Sequence, residues 1–481
     1  MSESSLKLSG FFNALRTSMS VLFPLITFPY ASRVLGPGGI GKVNFASSIV
    51  SYFIMIAMLG INNYGIREAG KFRNDKEKLS KFVKEVLLVN LIACLVAYIM
   101  LFISIFAFTS LSEYRLLIIL SSASILFTVV GLDWLFYAME DLGSVAVRSF
   151  IFQLLSLVLL FAFVKKTDDY IKYAGIGIVS SVGTNIVSFF FARKYVDFKI
   201  GVHIELKKHL KPILLFFLMA VAATVNSSID TTMLGFISGP EQVGYYSAAL
   251  KVIRLVVAVV TSMTVILPRL SLYYADGELD KFKNLSTRTL NMNILLAWPA
   301  SLGIILLSKN IITLLSGNMY GASVPVLRVL SLCTLFLALG NLSGGHILLS
   351  IGKEKISFYA VLIGIAFNII INLSLIPKYG ALGAGIATLF SEFSVASVEF
   401  VFIYKFLVCK SILINLIQCI LGSLLMGTAV FFVSKLQLYN PLNVLISIIS
   451  GVLIYFFLLL LVKNESVNSI IKVRSGRNYE K

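Results

Sequence analysis

The chain is poor in charge, in cysteine and in long polar segments. Only 13% of its 481 residues are Asp, Glu, Lys or Arg, against 58% hydrophobic ones, and the mean hydropathy is +0.91. A soluble core cannot absorb so much apolar surface, so the composition describes a chain dissolved in lipid. Its four cysteines, Cys94, Cys333, Cys409 and Cys419, lie in or beside apolar runs and form no CxxC or Cys/His spacing suited to zinc or redox work. The three histidines offer little more: His203 and His209 flank a basic loop and read as solvated, and His346, in "GNLSGGHILLS", reads as a polar packing residue. No GxxxxGK[ST] phosphate loop marks an ATPase. The longest polar interruptions, near residues 193–211 and 268–289, run to about twenty residues, too few for a separate catalytic domain. "YYADGELDKF" carries three carboxylates but reads as a solvated loop. No catalytic residue, metal or cofactor is therefore expected. The start, "MSESSLKLSG", lacks the basic segment of a cleaved signal, so the first apolar run is expected to stay in the mature protein.

What the chain does have is a succession of windows of roughly 20 apolar residues, the length a helix needs to cross a bilayer. They are continuously apolar and do not alternate, which excludes barrel strands and leaves helices. About fourteen spans are expected, at 11–32, 44–64, 85–108, 115–138, 143–164, 171–192, 212–237, 244–267, 290–308, 324–350, 357–376, 382–404, 412–434 and 441–462. The net charge of +18 does not signal nucleic acid, because the basic residues cluster in alternate loops. Roughly 28 of the 41 Lys and Arg fall on one side and roughly nine on the other. Both termini are thus expected to be cytoplasmic, with Arg33, Lys42, Lys165 and Lys166 as exceptions.

An internal repeat runs through these spans. "RVLGPGGIGKVNFAS", after the first, matches "TMLGFISGPEQVGYYSAA", after the seventh, and "KYAGIGIVSS" matches "KYGALGAGIAT". The expected architecture is all-α: one six-helix lobe over 1–210, a second over 211–410, and two further helices with a basic tail over 411–481. An even number of spans per lobe relates the copies by a pseudo-two-fold axis along the membrane normal, the plan of parallel-repeat carriers with a site between the lobes. Charges within spans are costly and mark such sites. Arg16, Lys251, Arg254 and Arg328 are the candidate substrate-binding cations. Lys251 and Arg254 share a helical face, while Arg16 and Arg328 lie nearer helix ends, where snorkelling is the competing role. Asp133, Asp230, Glu392 and Glu399 are candidate ion-coupling groups or partners of those cations, with H+ or Na+ as the coupling ion. Pro24, Pro29 and Pro268 read equally as packing kinks or hinges.

At several of these residues the chain resembles a known family. "FNALRTSMSVLFPLITFPYASRVLGPGGIGKVNFASSIVSYF", "LGINNYGIREAGKFRNDKEKLSK", "GLDWLFYAMED" and "DTTMLGFISGPEQVGYYSAALKVIRL" resemble Wzx-type oligosaccharide flippases. These form the polysaccharide-transporter branch of the multidrug/oligosaccharidyl-lipid/polysaccharide exporter superfamily, and the resemblance covers roughly residues 8–460. It implies transfer of an undecaprenyl-pyrophosphate-linked oligosaccharide from the inner to the outer leaflet of the bacterial inner membrane. Membrane lipids, a polysaccharide polymerase and chain-length machinery are the implied partners. Cations then have a purpose: Lys and Arg offset a pyrophosphate in a low dielectric, and Arg adds a forked donor. Tyr64, Tyr245 and Tyr246 are candidate sugar-stacking residues, with an interfacial role as the commoner alternative. Fourteen spans depart from the twelve described for many members and match the related peptidoglycan-precursor flippases. A multidrug/cation antiporter of the same superfamily and a membrane glycosyltransferase or polymerase are the alternatives.

Overall fold

The computed structural model describes the backbone of residues 3–199, 205–261, 266–436 and 439–468, with side chains from Phe23 onward. All regular structure among them is helical: α1 (Glu3–Met58), α2 (Ile61–Ala69), α3 (Lys76–Ala107), α4 (Arg115–Val130), α5 (Asp133–Ala138), α6 (Leu142–Phe163), α7 (Tyr170–Ala192) and α8 (Lys207–Ser238). Then come α9 (Pro240–Thr261), α10 (Leu267–Ala275), α11 (Leu279–Ser316), α12 (Ser323–Leu342), α13 (Glu354–Tyr379), α14 (Ala381–Ile403), α15 (Cys409–Ser434) and α16 (Asn440–Leu461). A π-helical turn, Ser343–Leu348, continues α12.

Thirteen helical segments among the described residues are long and apolar enough to cross a membrane. The first is two helices merged across a break at Gly36, so thirteen segments stand where fourteen spans were expected, the first two being joined in one. Gly36 has φ 67° and ψ 179°, a region open essentially to glycine alone, and Pro37 opens the next helix, where a missing N–H costs nothing. The same step recurs at Gly239 (φ 84°, ψ 177°) and Pro240. The repeat read from the sequence is therefore also a repeat of backbone geometry.

Contacts gather the chain into two units, Met1–Gly244 and Tyr245–Lys481. In the first unit, a methyl group added at Gly41 would collide with the Pro240 carbonyl, and one at Gly244 with the Pro37 carbonyl. Each glycine thus lets its helix rest on the Gly–Pro step of the other repeat. Further along, α8 docks on the second half of α1 through hydroxyls: Ser51 lies 3.2 Å from Ser228, Tyr52 is 3.3 Å from Thr232, and Thr232 donates to Ser48 at 3.1 Å. One core of this unit is aromatic. Trp134 packs beside Phe82 and sits so close to Gly65 that a Cβ there would lie 2.6 Å from the indole.

In the second unit α13 and α14 pack as neighbours, and the α15/α16 pair packs on α11. The Tyr455 hydroxyl donates to the Leu295 carbonyl at 2.9 Å, tying α16 to α11 inside a cluster that includes Leu270, Phe282 and Leu459. Buried polar groups in such a bundle need partners within the protein, because lipid supplies none.

Candidate functional site

The first unit encloses a cavity of about 490 Å³ between α1, α4, α6 and α7, lined by amides and hydroxyls that include Asn44, Ser47, Gln153, Ser156, Ser180 and Ser181. Its described lining holds no charged residue. Hydroxyls there are partly committed to their own helices: Ser156 donates to the Phe152 carbonyl, and Ser181 to that of Ile178.

A second cavity of about 480 Å³ lies where α2, α3 and α8 meet, and its wall is a buried charge network. Glu85, 1% exposed, accepts from the Glu205 N–H at 2.9 Å and pairs with Lys208 and His209, each at 2.9 Å. With the imidazole protonated on Nε2, the Tyr64 hydroxyl donates to Nδ1 at 2.6 Å and Nε2–H donates to Glu85. His209 is therefore a buried joint between helices and not the solvated loop residue that its basic surroundings suggested. Tyr64 is buried by the same joint, and Tyr246 is buried with its hydroxyl 3.0 Å from Thr388. Neither ring presents an open face to a sugar. Tyr245 packs edge-on against Tyr320. His203 lies outside the described residues.

Among the sequence candidates, Asp133 begins α5, half-buried, and accepts from Ser188 at 2.9 Å. Near it is a cation that the sequence reading did not single out. Arg148 on α6 is 5% exposed, with its guanidinium 4.1 Å from the Phe136 ring centroid and 5.5 Å from that of Phe191. None of its nitrogens has a hydrogen-bond partner among the described residues, and Asp133 and Asp141 act on it electrostatically. The available signal was an arginine inside the fifth apolar run, "GSVAVRSFIF". Asp141, between spans, caps α6: it accepts from the Ser144 hydroxyl and the Tyr195 hydroxyl, both at 2.7 Å. Burial pushes its pKa up, but these donors and Lys194 outweigh it and hold the carboxyl below its usual value. Asp230 is buried on α8, two residues from both Ser228 and Thr232, which make the hydroxyl contacts with α1.

In the second unit Lys251 is half-buried and Arg254 exposed, one turn apart on α9 and close enough for the guanidinium to act on the ammonium. Arg328, exposed on α12, donates through Nε to Ser308 at 2.9 Å, which fixes it against α11. Glu392 is half-buried. Glu399 is 1% exposed and accepts from Ser343 and, at 2.6 Å, from Ser357. Ser343 opens the π-helical turn, and Gly344 leaves the space the carboxylate occupies. Arg16 falls in α1, but its side chain lies outside the described residues. The structure thus groups Lys251 with Arg254, and seats Asp133 and Glu399 on hydroxyls.

These features define a class: a multi-pass helical membrane protein of two lobes. The fold is that of the lipid II flippase MurJ in its inward closed conformation, with a TM-score of 0.75 at 18% identity over 97% of this chain and 100% of that one. The sequence profile described as polysaccharide biosynthesis protein matches residues 8–274, and the chain belongs to that family. The MatE profile matches residues 212–373. A protein of Escherichia coli (strain K12), named provisionally as an O-antigen transporter, is 26% identical over 84% of this chain and 99% of its own length. The capsular polysaccharide biosynthesis protein CapF of Staphylococcus aureus is 22% identical over 80% and 96%.

Proposed function

We propose that the protein is a flippase that moves an undecaprenyl-pyrophosphate-linked oligosaccharide unit from the inner to the outer leaflet of the bacterial inner membrane. Its product supplies surface polysaccharide synthesis. The observation that carries this reading is the similarity, over 84% of this chain, to the Escherichia coli (strain K12) protein named provisionally as an O-antigen transporter. Lys251 and Arg254 support it, since two adjacent cations on a membrane helix favour an anionic cargo such as a diphosphate. Arg16 and Arg328 extend that role. Transport proceeds by alternating access, and Asp133, Asp230, Glu392 or Glu399 couples it to H+ or Na+.

A cation antiporter is the second reading, favoured by the MatE match over residues 212–373. That chemistry calls for an acidic cavity, against which the Lys251/Arg254 pair weighs. Transport into inverted membrane vesicles separates the two. The Lys251→Ala/Arg254→Ala protein should reach the membrane in normal amount yet move lipid-linked oligosaccharide at least roughly tenfold more slowly, as expected for losing about 1.4 kcal/mol or more of stabilisation in passage. Arg254→Lys should retain more activity than Arg254→Ala, because it keeps the charge and loses only the fork. Normal transport by the double variant would remove the pair from the mechanism, and cation efflux without lipid transfer would establish the antiporter.

A further inference from the structure

The last two helices carry a third cavity, of about 380 Å³, where the start of α15 and the end of α16 meet α11. Its floor is a chain of amides. Asn415 donates to the Asn291 carbonyl at 3.1 Å, and Asn464 donates to Asn415 Oδ1 at 3.0 Å and to Gln418 Oε1 at 2.6 Å. Asn464 Oδ1 in turn accepts from the Ser466 and Val467 N–H groups. This network consumes acceptors: Asn415, Gln418 and Asn464 all have their side-chain oxygens engaged.

What remains is rich in donors. Lys410 and Lys463 stand at the rim, exposed and without an ion-pair partner among the described residues, and the Gln418 amide keeps its N–H groups free. A cavity whose spare groups are two ammoniums and an amide donor suits an anion with several oxygens. Asn291 adds a separate observation. It is 5% exposed, its Nδ2 donates to Ser411 at 3.0 Å, and its Oδ1 is buried without a partner at the cavity wall. An occupant bearing a hydroxyl as well as a phosphate satisfies that oxygen.

The surroundings identify the source. Ile414 lines the cavity and begins an exposed apolar row, Ile414, Ile417 and Leu421, along one face of α15, and Leu453, Phe457 and Leu461 lead along α16 toward Lys463. A polar, cationic cradle at the foot of greasy stripes matches an amphiphile lying beside the helices. We propose that this cradle binds the phosphate headgroup of an anionic, hydroxyl-bearing membrane lipid, a phosphoglycerol lipid, with its acyl chains along α15 and α16. Glu465, also at the rim, opposes the phosphate and sets the affinity low enough for exchange. The inference does not depend on what the protein transports.

The full chain, purified in detergent and stripped of lipid, tests it by native mass spectrometry and thermal unfolding with phosphatidylglycerol, phosphatidylcholine or inorganic phosphate. Phosphatidylglycerol should bind and raise Tm at lower concentration than phosphatidylcholine. Lys410→Ala should weaken it roughly fivefold and the Lys410→Ala/Lys463→Ala pair roughly thirtyfold, the loss expected for one and two surface cations. Lys410→Arg/Lys463→Arg should bind normally, and Glu465→Gln should bind more tightly. Inorganic phosphate alone should shift nothing that these variants alter. Equal phosphatidylglycerol binding by the double Ala variant overturns the site. Equal binding of phosphatidylcholine overturns the anionic selectivity, and a variant-sensitive effect of phosphate alone matching that of the lipid assigns the cradle to a free ion instead.

Discussion

Glu85 shows what one buried charge requires in this protein. A carboxylate 1% exposed stays bound in place because Lys208, His209 and the Glu205 N–H surround it, and Tyr64 holds the imidazole from behind. Removing the carboxylate leaves the buried His209 Nε2–H without its acceptor, while Lys208 keeps Glu205 at 3.5 Å, a loss of about 1–3 kcal/mol. Thermal unfolding should therefore show Glu85→Ala well below wild type, with Tyr64→Phe down by only about 1 kcal/mol. Tyr64→Phe and Glu85→Ala should also be non-additive, because they act on one network through His209. Arg148 is a second case: a guanidinium stacked on Phe136 uses a flat cation, so Arg148→Lys should destabilise nearly as much as Arg148→Met in the same assay. These residues were the least legible in the sequence. His209 stands among lysines and looks solvated, and only the approach of α2, α3 and α8 turns it inward. Asp133 and Glu399 were legible as intramembrane acids, but the serines that hold them, Ser188, Ser343 and Ser357, are 55, 56 and 42 residues away.

Helices were legible wherever apolar length decided them, and their ends were not. The first two spans, expected at 11–32 and 44–64, are one continuous run to Met58 interrupted only at Gly36, because Leu35, Ile40 and Phe45 are buried and keep the intervening residues helical. "ASRVLGPGGIGKVN" looks like a loop only when its burial is unknown. The two segments that hold the Gly–Pro steps were visible as a repeat through their shared Leu-Gly, hydrophobic-Gly and alanine, whereas the positive φ of Gly36 and Gly239 appears only in the fold. Gly41 and Gly244 follow from what those steps touch. Neither needs an unusual φ, yet each faces a carbonyl of the other repeat with no room for a methyl group. Gly41→Ala and Gly244→Ala should therefore each lower the yield of folded protein in the membrane, measured by fluorescence-detected size exclusion. Gly175→Ala, in a helix with nothing within 4 Å of the new methyl, should match or exceed wild type by about 1 kcal/mol of helix propensity. Equal losses at all three positions would mean that the Gly–Pro contacts carry no special weight.

At the scale of the whole molecule, the parity of the crossings ties the charge pattern to the direction of transport. If the break at Gly36 separates two crossing helices, the thirteen apolar segments become fourteen crossings, and the proposed arrangement puts both ends on one side, which the basic bias assigns to the cytoplasm. If Gly36 were a mere bend within one crossing helix, the count would be thirteen and every later loop would exchange sides. Single cysteines in a functional variant lacking Cys94, Cys333, Cys409 and Cys419 distinguish these cases. Lys78→Cys follows two crossings and Lys207→Cys six, so a membrane-impermeant maleimide should miss both in intact cells and reach them after permeabilisation. Met319→Cys, 60% exposed after the ninth crossing, should be labelled in intact cells. A protease site fused ahead of Met1 should be protected from outside along with Lys78→Cys. If the fused site and Lys78→Cys fall on opposite sides, Gly36 does not reverse the chain and the fourteen-helix arrangement is wrong. If both are reached from outside, the arrangement stands but its orientation is inverted, and the proposed inner-to-outer transfer loses its directional argument.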